Sequence, residues 1–197
     1  MTTVISGTSG VTFPAGGVGN PAGDVVGTSD SQTLTNKTIQ GGAITRGTAV
    51  ASTSGTSIDF TSLPSWVKRI TVMFNGVSGN GSSHLLVQLG TGSTTYTTSG
   101  YNATTTVAAG GVTTANSTAG FIVWQNVSSF TMSGTMTLTN ITGNTWLSNT
   151  TVKLSTTETA FAGGDVALGA VLTAVRITRV NGTDTFDAGS VNLLYEG

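Results

Sequence analysis

The chain holds one histidine, His84, no cysteine, and two neighbouring carboxylates, Asp184 and Asp187, in Asn181-Gly182-Thr183-Asp184-Thr185-Phe186-Asp187-Ala188-Gly189. An imidazole can act as the base for a Ser or Thr nucleophile. A carboxylate pair can pass protons or hold calcium through hard oxygens. Each group also has a plainer use. His84 stands at the head of a strand pattern behind Asn80-Gly81-Ser82-Ser83, where an exposed polar residue is the ordinary occupant, and Asn, Asp and Gly stabilise turns. One histidine without cysteine does not build a zinc site unless carboxylates or other subunits complete it. Gly17-Val18-Gly19-Asn20-Pro21-Ala22 fits a loose dinucleotide fingerprint, but no strand pattern precedes it and no helix pattern follows. The expectation is a protein that is not an enzyme, with no catalytic residue, no cofactor and no metal site assigned; the plainer reading of the Asp184/Asp187 segment is a loop.

The other residues with chemistry to offer are aromatic. An exposed ring gives a sugar a flat apolar platform while neighbouring Asn and Thr exchange hydrogen bonds with its hydroxyls. Tyr96 and Tyr101 lie in a Thr/Ser/Gly-rich stretch, and Trp146 follows Asn140-Ile141-Thr142-Gly143-Asn144-Thr145. These three are the candidates for a receptor or subunit-interface contact, with the interface the commoner use of such anchors. Trp124, inside Gly120-Phe121-Ile122-Val123-Trp124-Gln125, and Trp66, beside Pro64, read as packing residues. Asn36, Asn80, Asn102, Asn116, Asn126, Asn140, Asn149 and Asn181 occur in N-x-[ST] triplets. With Ser and Thr so abundant these read as turns and solvated strand faces.

The elements that must position these residues are strands. From about Thr45 onward, short β-branched and aromatic runs alternate with Gly and Asn. Ile70, Val72 and Phe74 share one face of a strand, and Phe130, Met132, Met136 and Leu138 alternate with Ser and Thr. Further strands are expected at 57–63, 85–89, 120–125, 151–154, 171–180 and 190–195, about eight in all, the pattern of an antiparallel β-sandwich, jelly-roll-like. The segment 181–189 is then a projecting loop. Residues 166–177 have a helical alternative, which Gly169, Thr173 and a β-branched content disfavour.

Residues 1–44 differ. Their few large apolar side chains, among them Leu34 and Ile39, are scattered without period among Gly, Ser, Thr and Pro. Such a segment cannot enclose a core of its own. Extended, it would reach about 145 Å at roughly 3.3 Å per residue, which suits an attachment arm ahead of a sandwich domain at 45–197. Composition points the same way: only 8% of residues are charged, far below the roughly 25% of an average soluble domain. A weakly charged surface favours life in an assembly. The formal net charge of −1 offers no field for nucleic acid, and no apolar run is long enough for membrane insertion. The opening residues lack the pattern of a secretory signal, so synthesis and assembly in a cytoplasm are expected.

Ser31-Gln32-Thr33-Leu34-Thr35-Asn36-Lys37-Thr38-Ile39, followed by Gln40-Gly41-Gly42, resembles a segment of tail fibres and related virion proteins of tailed bacteriophages. Val4-Ile5-Ser6-Gly7-Thr8-Ser9-Gly10-Val11-Thr12-Phe13-Pro14 is similar to starts of such proteins. The runs Ile58-Asp59-Phe60-Thr61-Ser62-Leu63-Pro64 and Phe186 to Glu196 are similar to small β domains of phage virion proteins. The resemblance implies a structural virion part, commonly a homotrimer, attached by its N-terminal end through Leu34, Asn36, Lys37 and Ile39, with the body pointing outward. Its partners would be itself, other tail or head proteins and a host surface glycan. The chain is far shorter than a long fibre and lacks a repetitive shaft, so a short tail fibre, a fibre adaptor and a capsid decoration all remain open.

Overall fold

The computed structural model describes residues 44–197. The arm residues Leu34, Asn36, Lys37 and Ile39, and the glycine fingerprint at 17–22, lie outside the described residues. Within them every regular element is a strand: β1 (Thr45–Arg46), β2 (Val50–Ala51), β3 (Ser57–Phe60), β4 (Arg69–Gly79), β5 (Leu85–Gly90), β6 (Asn102–Ala108), β7 (Val112–Ser117), β8 (Phe121–Val123), β9 (Met132–Thr142), β10 (Thr145–Lys153), β11 (Thr159–Ala167), β12 (Ala174–Arg179) and β13 (Phe186–Glu196).

The pairings are antiparallel throughout and build two sheets, one ordered β1-β13-β4-β9-β10-β11-β6-β7 with β2 also on β13, the other β3-β12-β5-β8. The expected all-β sandwich is therefore present. The chain crosses repeatedly between the sheets and divides itself unequally, nine strands against four. Both sheets turn apolar side chains into one core. Ile70, Val72 and Phe74 of β4 and Met132, Met136 and Leu138 of β9 are all buried there. Burying each such side chain favours the fold by about 1.5–3 kcal/mol.

Five strands fall where the sequence reading placed none: β1, β2, β6, β7 and β11. β6, Asn-Ala-Thr-Thr-Thr-Val-Ala, and β11, Thr-Ala-Phe-Ala-Gly-Gly-Asp-Val-Ala, alternate in and out with small residues, Ala103, Val107, Ala160 and Val166 taking the inward places. Their inward side is too slight to announce itself by hydropathy. The 166–177 stretch forms the end of β11 and the start of β12, not a helix.

The predicted loop at 181–189 is half strand. β13 begins at Phe186, which is buried beside β12. The remaining turn is lashed to the connection that carries the chain from β4 in one sheet to β5 in the other: the Ser83 amide donates to Asp184 Oδ2 at 3.0 Å, the Asn181 amide nitrogen to Ser83 Oγ at 3.0 Å and the Thr185 amide to Asn80 Oδ1 at 2.9 Å. Such bonds hold it down instead of letting it project.

Candidate functional site

The sequence-derived aromatics do not meet on an open surface. Trp146 is 3% exposed. The turn joining β9 to β10 closes within Gly143 and Asn144, so Trp146 becomes the first inward position of β10, opposite Asn140 and Val166. Tyr101 is 2% exposed, packs edge-on against Phe121 with ring centroids 5.0 Å apart, and accepts the Leu89 amide hydrogen at 2.7 Å. Burial pushes its hydroxyl up to about 12. Both were expected in exposed loops; the correction is that they anchor the core. Tyr96 is half-buried, and the Arg176 guanidinium lies 4.0 Å over its ring. Arg176 in turn holds Asp59 by two bonds of 2.7 Å. Of the tryptophans read as packing residues, Trp124 is buried, whereas Trp66 is exposed with its ring 6.0 Å from Tyr195.

His84 and the carboxylates serve local structure. His84 is half-buried, tilted over Trp124 at 4.6 Å, and its Nδ1 accepts the Gln125 amide hydrogen at 3.1 Å. That bond places the ring proton on Nε2 and requires Nδ1 to be bare. Asp184 accepts from the Asn181 side-chain amide at 2.6 Å as well as from Ser83, and these bonds hold its carboxyl below the usual range. Asp187 accepts the Ser78 hydroxyl. Between these turns lies Arg179, 1% exposed, donating to Gln125 Oε1 at 2.8 Å and Ser83 O at 3.2 Å, with its carbon 5.0 Å from the Phe186 ring centroid. Burial lowers its affinity for the proton, and the charges of Asp184 and Asp187 oppose that. Among the described residues no three His, Cys, Asp or Glu side chains gather as metal ligands.

Burial lowers the His84 pKa below its ordinary value. A group whose folded pKa is depressed adds stability that is complete above its unfolded value, about 6.5, and lost as pH falls through the folded one. Urea unfolding at successive pH values should therefore show wild-type stability declining on acidification below about 6.5, and His84→Gln should flatten this part of the profile. An unchanged slope in His84→Gln would remove His84 as its source.

What the structure does expose is the outer face of the large sheet. Register fixes its rows. Met73, Thr135, Thr151, Phe161, Thr106 and Thr114 follow one another across β4, β9, β10, β11, β6 and β7; alongside run Thr71, Thr137, Asn149, Gly163, Thr104 and Asn116. Side chains on one sheet face alternate by two, and strands stand about 4.8 Å apart, so the rows make a closely spaced field of hydroxyls and amides. Within it Phe161 is 49% exposed. Gly163, two residues on, contributes no side chain, and a depression of about 450 Å³ lies here, lined by Phe161, Gly163, Asn149 and Thr104 among others. A second depression of about 380 Å³ shares Thr104 and continues over Asn102 and Asn116. Neither is lined by an ionisable side chain other than the Tyr101 phenol. Thr105, inward-facing on β6, supports the site from below, its hydroxyl donating to the Phe161 carbonyl at 3.2 Å and accepting the Trp124 amide at 3.1 Å.

The sequence reading counts Asn102, Asn116 and Asn149 among residues of turns and solvated strand faces, but it places no strand at β6, β7 or β11 and does not single out Phe161. Alternation with the small residues Ala160 and Ala162 was the available signal; the Gly163-Gly164 pair obscured the strand. No family model matches the chain, and neither the curated proteins nor the solved structures contain a match to it.

Proposed function

We propose that this chain is a structural subunit of a tailed-bacteriophage virion, a short tail fibre or fibre adaptor. Residues 1–44 dock it on the particle through Leu34, Asn36, Lys37 and Ile39, and the β-sandwich self-associates, as a homotrimer, and meets the host surface. Its work is adhesive and mechanical, not enzymatic. The observation that carries the reading is the Ser31 to Ile39 motif, joined to a weakly charged body built of antiparallel sheets. A capsid decoration would use the same parts, and the two differ in place: decoration puts many copies over the head, a fibre or adaptor few copies at one vertex.

Deleting residues 1–44 cuts immediately ahead of β1 and leaves every described strand intact. The truncated protein should melt as the full chain does and be absent from purified particles. Normal incorporation would refute the docking assignment. Labelling the full chain in electron micrographs separates vertex from head placement, and light scattering gives the subunit number.

A further inference from the structure

We propose that the depression beside Phe161, with its continuation over Thr104, binds a neutral oligosaccharide. The inference deepens the host-contact reading of the body and rests on that reading. It places the contact on the sheet face and not on the loop aromatics.

Phe161 stands in the interior of a nine-stranded sheet, at neither edge, with threonines across both strand boundaries: Thr151 on β10 and Thr106 on β11's other neighbour, β6. A ring left half in water keeps an apolar face that a partner can cover. The C–H face of a sugar fits that ring, and its hydroxyls, each both donor and acceptor, fit amides and hydroxyls at either side. Asn149, Thr104 and Asn116 are exposed beside it. Asn102 lies within 3.3 Å of Asp165 Oδ1 and so borders the site with its amide turned to that carboxylate.

Gly163 provides the depth. From Asn149 on β10 to Asn116 on β7 the paired depressions cross three inter-strand gaps, about 14 Å, so the ligand is a short chain rather than a single ring. Charge selects its class. No cation lines either depression, and Asp165 stands at the border, so an anionic sugar would surrender its hydration without an ion pair in return. A neutral glycan has no such cost.

The test uses the full chain on immobilised neutral trisaccharides containing glucose, galactose or N-acetylglucosamine, with sialylated and sulfated counterparts beside them. At least one neutral trisaccharide should be retained, and anionic groups should not improve retention. Phe161→Ala should weaken retention at least about tenfold. Gly163→Val should do the same by filling the depression: a β-carbon there meets only Ser148 O, at an ordinary 3.6 Å, so the fold has room for it. Thr137→Ala, on the same face but outside both depressions, should leave retention unchanged. All three variants should melt like the parent. Retention of no neutral sugar, retention of charged sugars alone, or indifference to both Phe161→Ala and Gly163→Val overturns the proposal. So does light scattering in which Phe161→Ala converts a multimer to monomer without any glycan bound, which would make the face a contact between copies. Loss of glycan retention leaves particle incorporation untouched, so failure here is distinct from failure of the docking arm.

Discussion

Tyr101→Ala should lower the stability of the body by about 3–5 kcal/mol, the loss typical of truncating a large buried aromatic. The ring is enclosed beside Phe121, and its oxygen is the partner of the Leu89 amide in the middle of the small sheet. Truncation opens a cavity and orphans that amide together. Tyr101→Phe separates the two effects, keeping the ring and removing the acceptor, for a loss of about 1–3 kcal/mol. Urea denaturation followed by tryptophan fluorescence measures both. A folded domain has only about 5–15 kcal/mol in hand, so a Tyr101→Ala protein that failed to bind cells would report partial unfolding and not a lost contact. Phe161→Ala, on the surface, carries no such penalty. A decline under about 1 kcal/mol for Tyr101→Ala, the size of an average substitution, would show that this residue is not the anchor its burial indicates.

Gly189→Ala should cost a comparable amount for a different reason. β13 and β4 run in register from Glu196 opposite Arg69 to Ser190 opposite Asn75, then slip, Ala188 facing Ser78. Gly189 sits at the slip with φ +94°, and a methyl group there would overlap the Gly76 carbonyl and lie 2.6 Å from Asn75 O. Left-handed geometry costs a non-glycine residue about 1–2 kcal/mol, and forcing apart packed backbone adds about 1–3 kcal/mol. The overlapped atoms are main chain and cannot swing aside, so the strands themselves must separate. Because the Ser52 amide bonds the Gly189 carbonyl at 3.0 Å and the Ser52 hydroxyl bonds Ala188 O at 2.7 Å, the disturbance should spread into the segment before β3. Hydrogen exchange should therefore accelerate there in Gly189→Ala. Protection equal to wild type, with an unchanged melting temperature, would show that the bulge tolerates a side chain.

Strands with bulky alternation were legible in the sequence. Ile70, Val72 and Phe74 announced β4, and Met136 with Leu138 announced β9, because large apolar side chains at a period of two line one face of a half-buried strand and fit no helix. β6 and β11 were silent because their inward sites hold small or polar residues, Ala103, Thr105 and Val107 on the one and Ala160, Gly164 and Val166 on the other, with no large apolar side chain to mark the period. The aromatics were misplaced for a related reason. Local composition puts Tyr101 and Trp146 among turn residues, yet burial depends on how many residues the turn consumes before the strand begins, and the β9–β10 turn is short enough to bring Trp146 inward. The sheet face beside Phe161 was the least legible of all. Its residues come from β10, β11, β6 and β7, and only the register across those strands sets Asn149, Gly163, Thr104 and Asn116 in line.

The place of β13 bears on how the protein is made. This strand lies between β4 on one side and β1 and β2 on the other, while β12, emerging shortly before it, separates β3 from β5. Until both have left the ribosome, β1, β2 and β3 have no strand to pair with, and one edge of β4 stays bare. Pairing across such sequence distances is slow because long loops must close before any contact forms. Nascent chains should thus stay incomplete until β13 has emerged, with exposed strand edges that favour capture by chaperones over spontaneous closure.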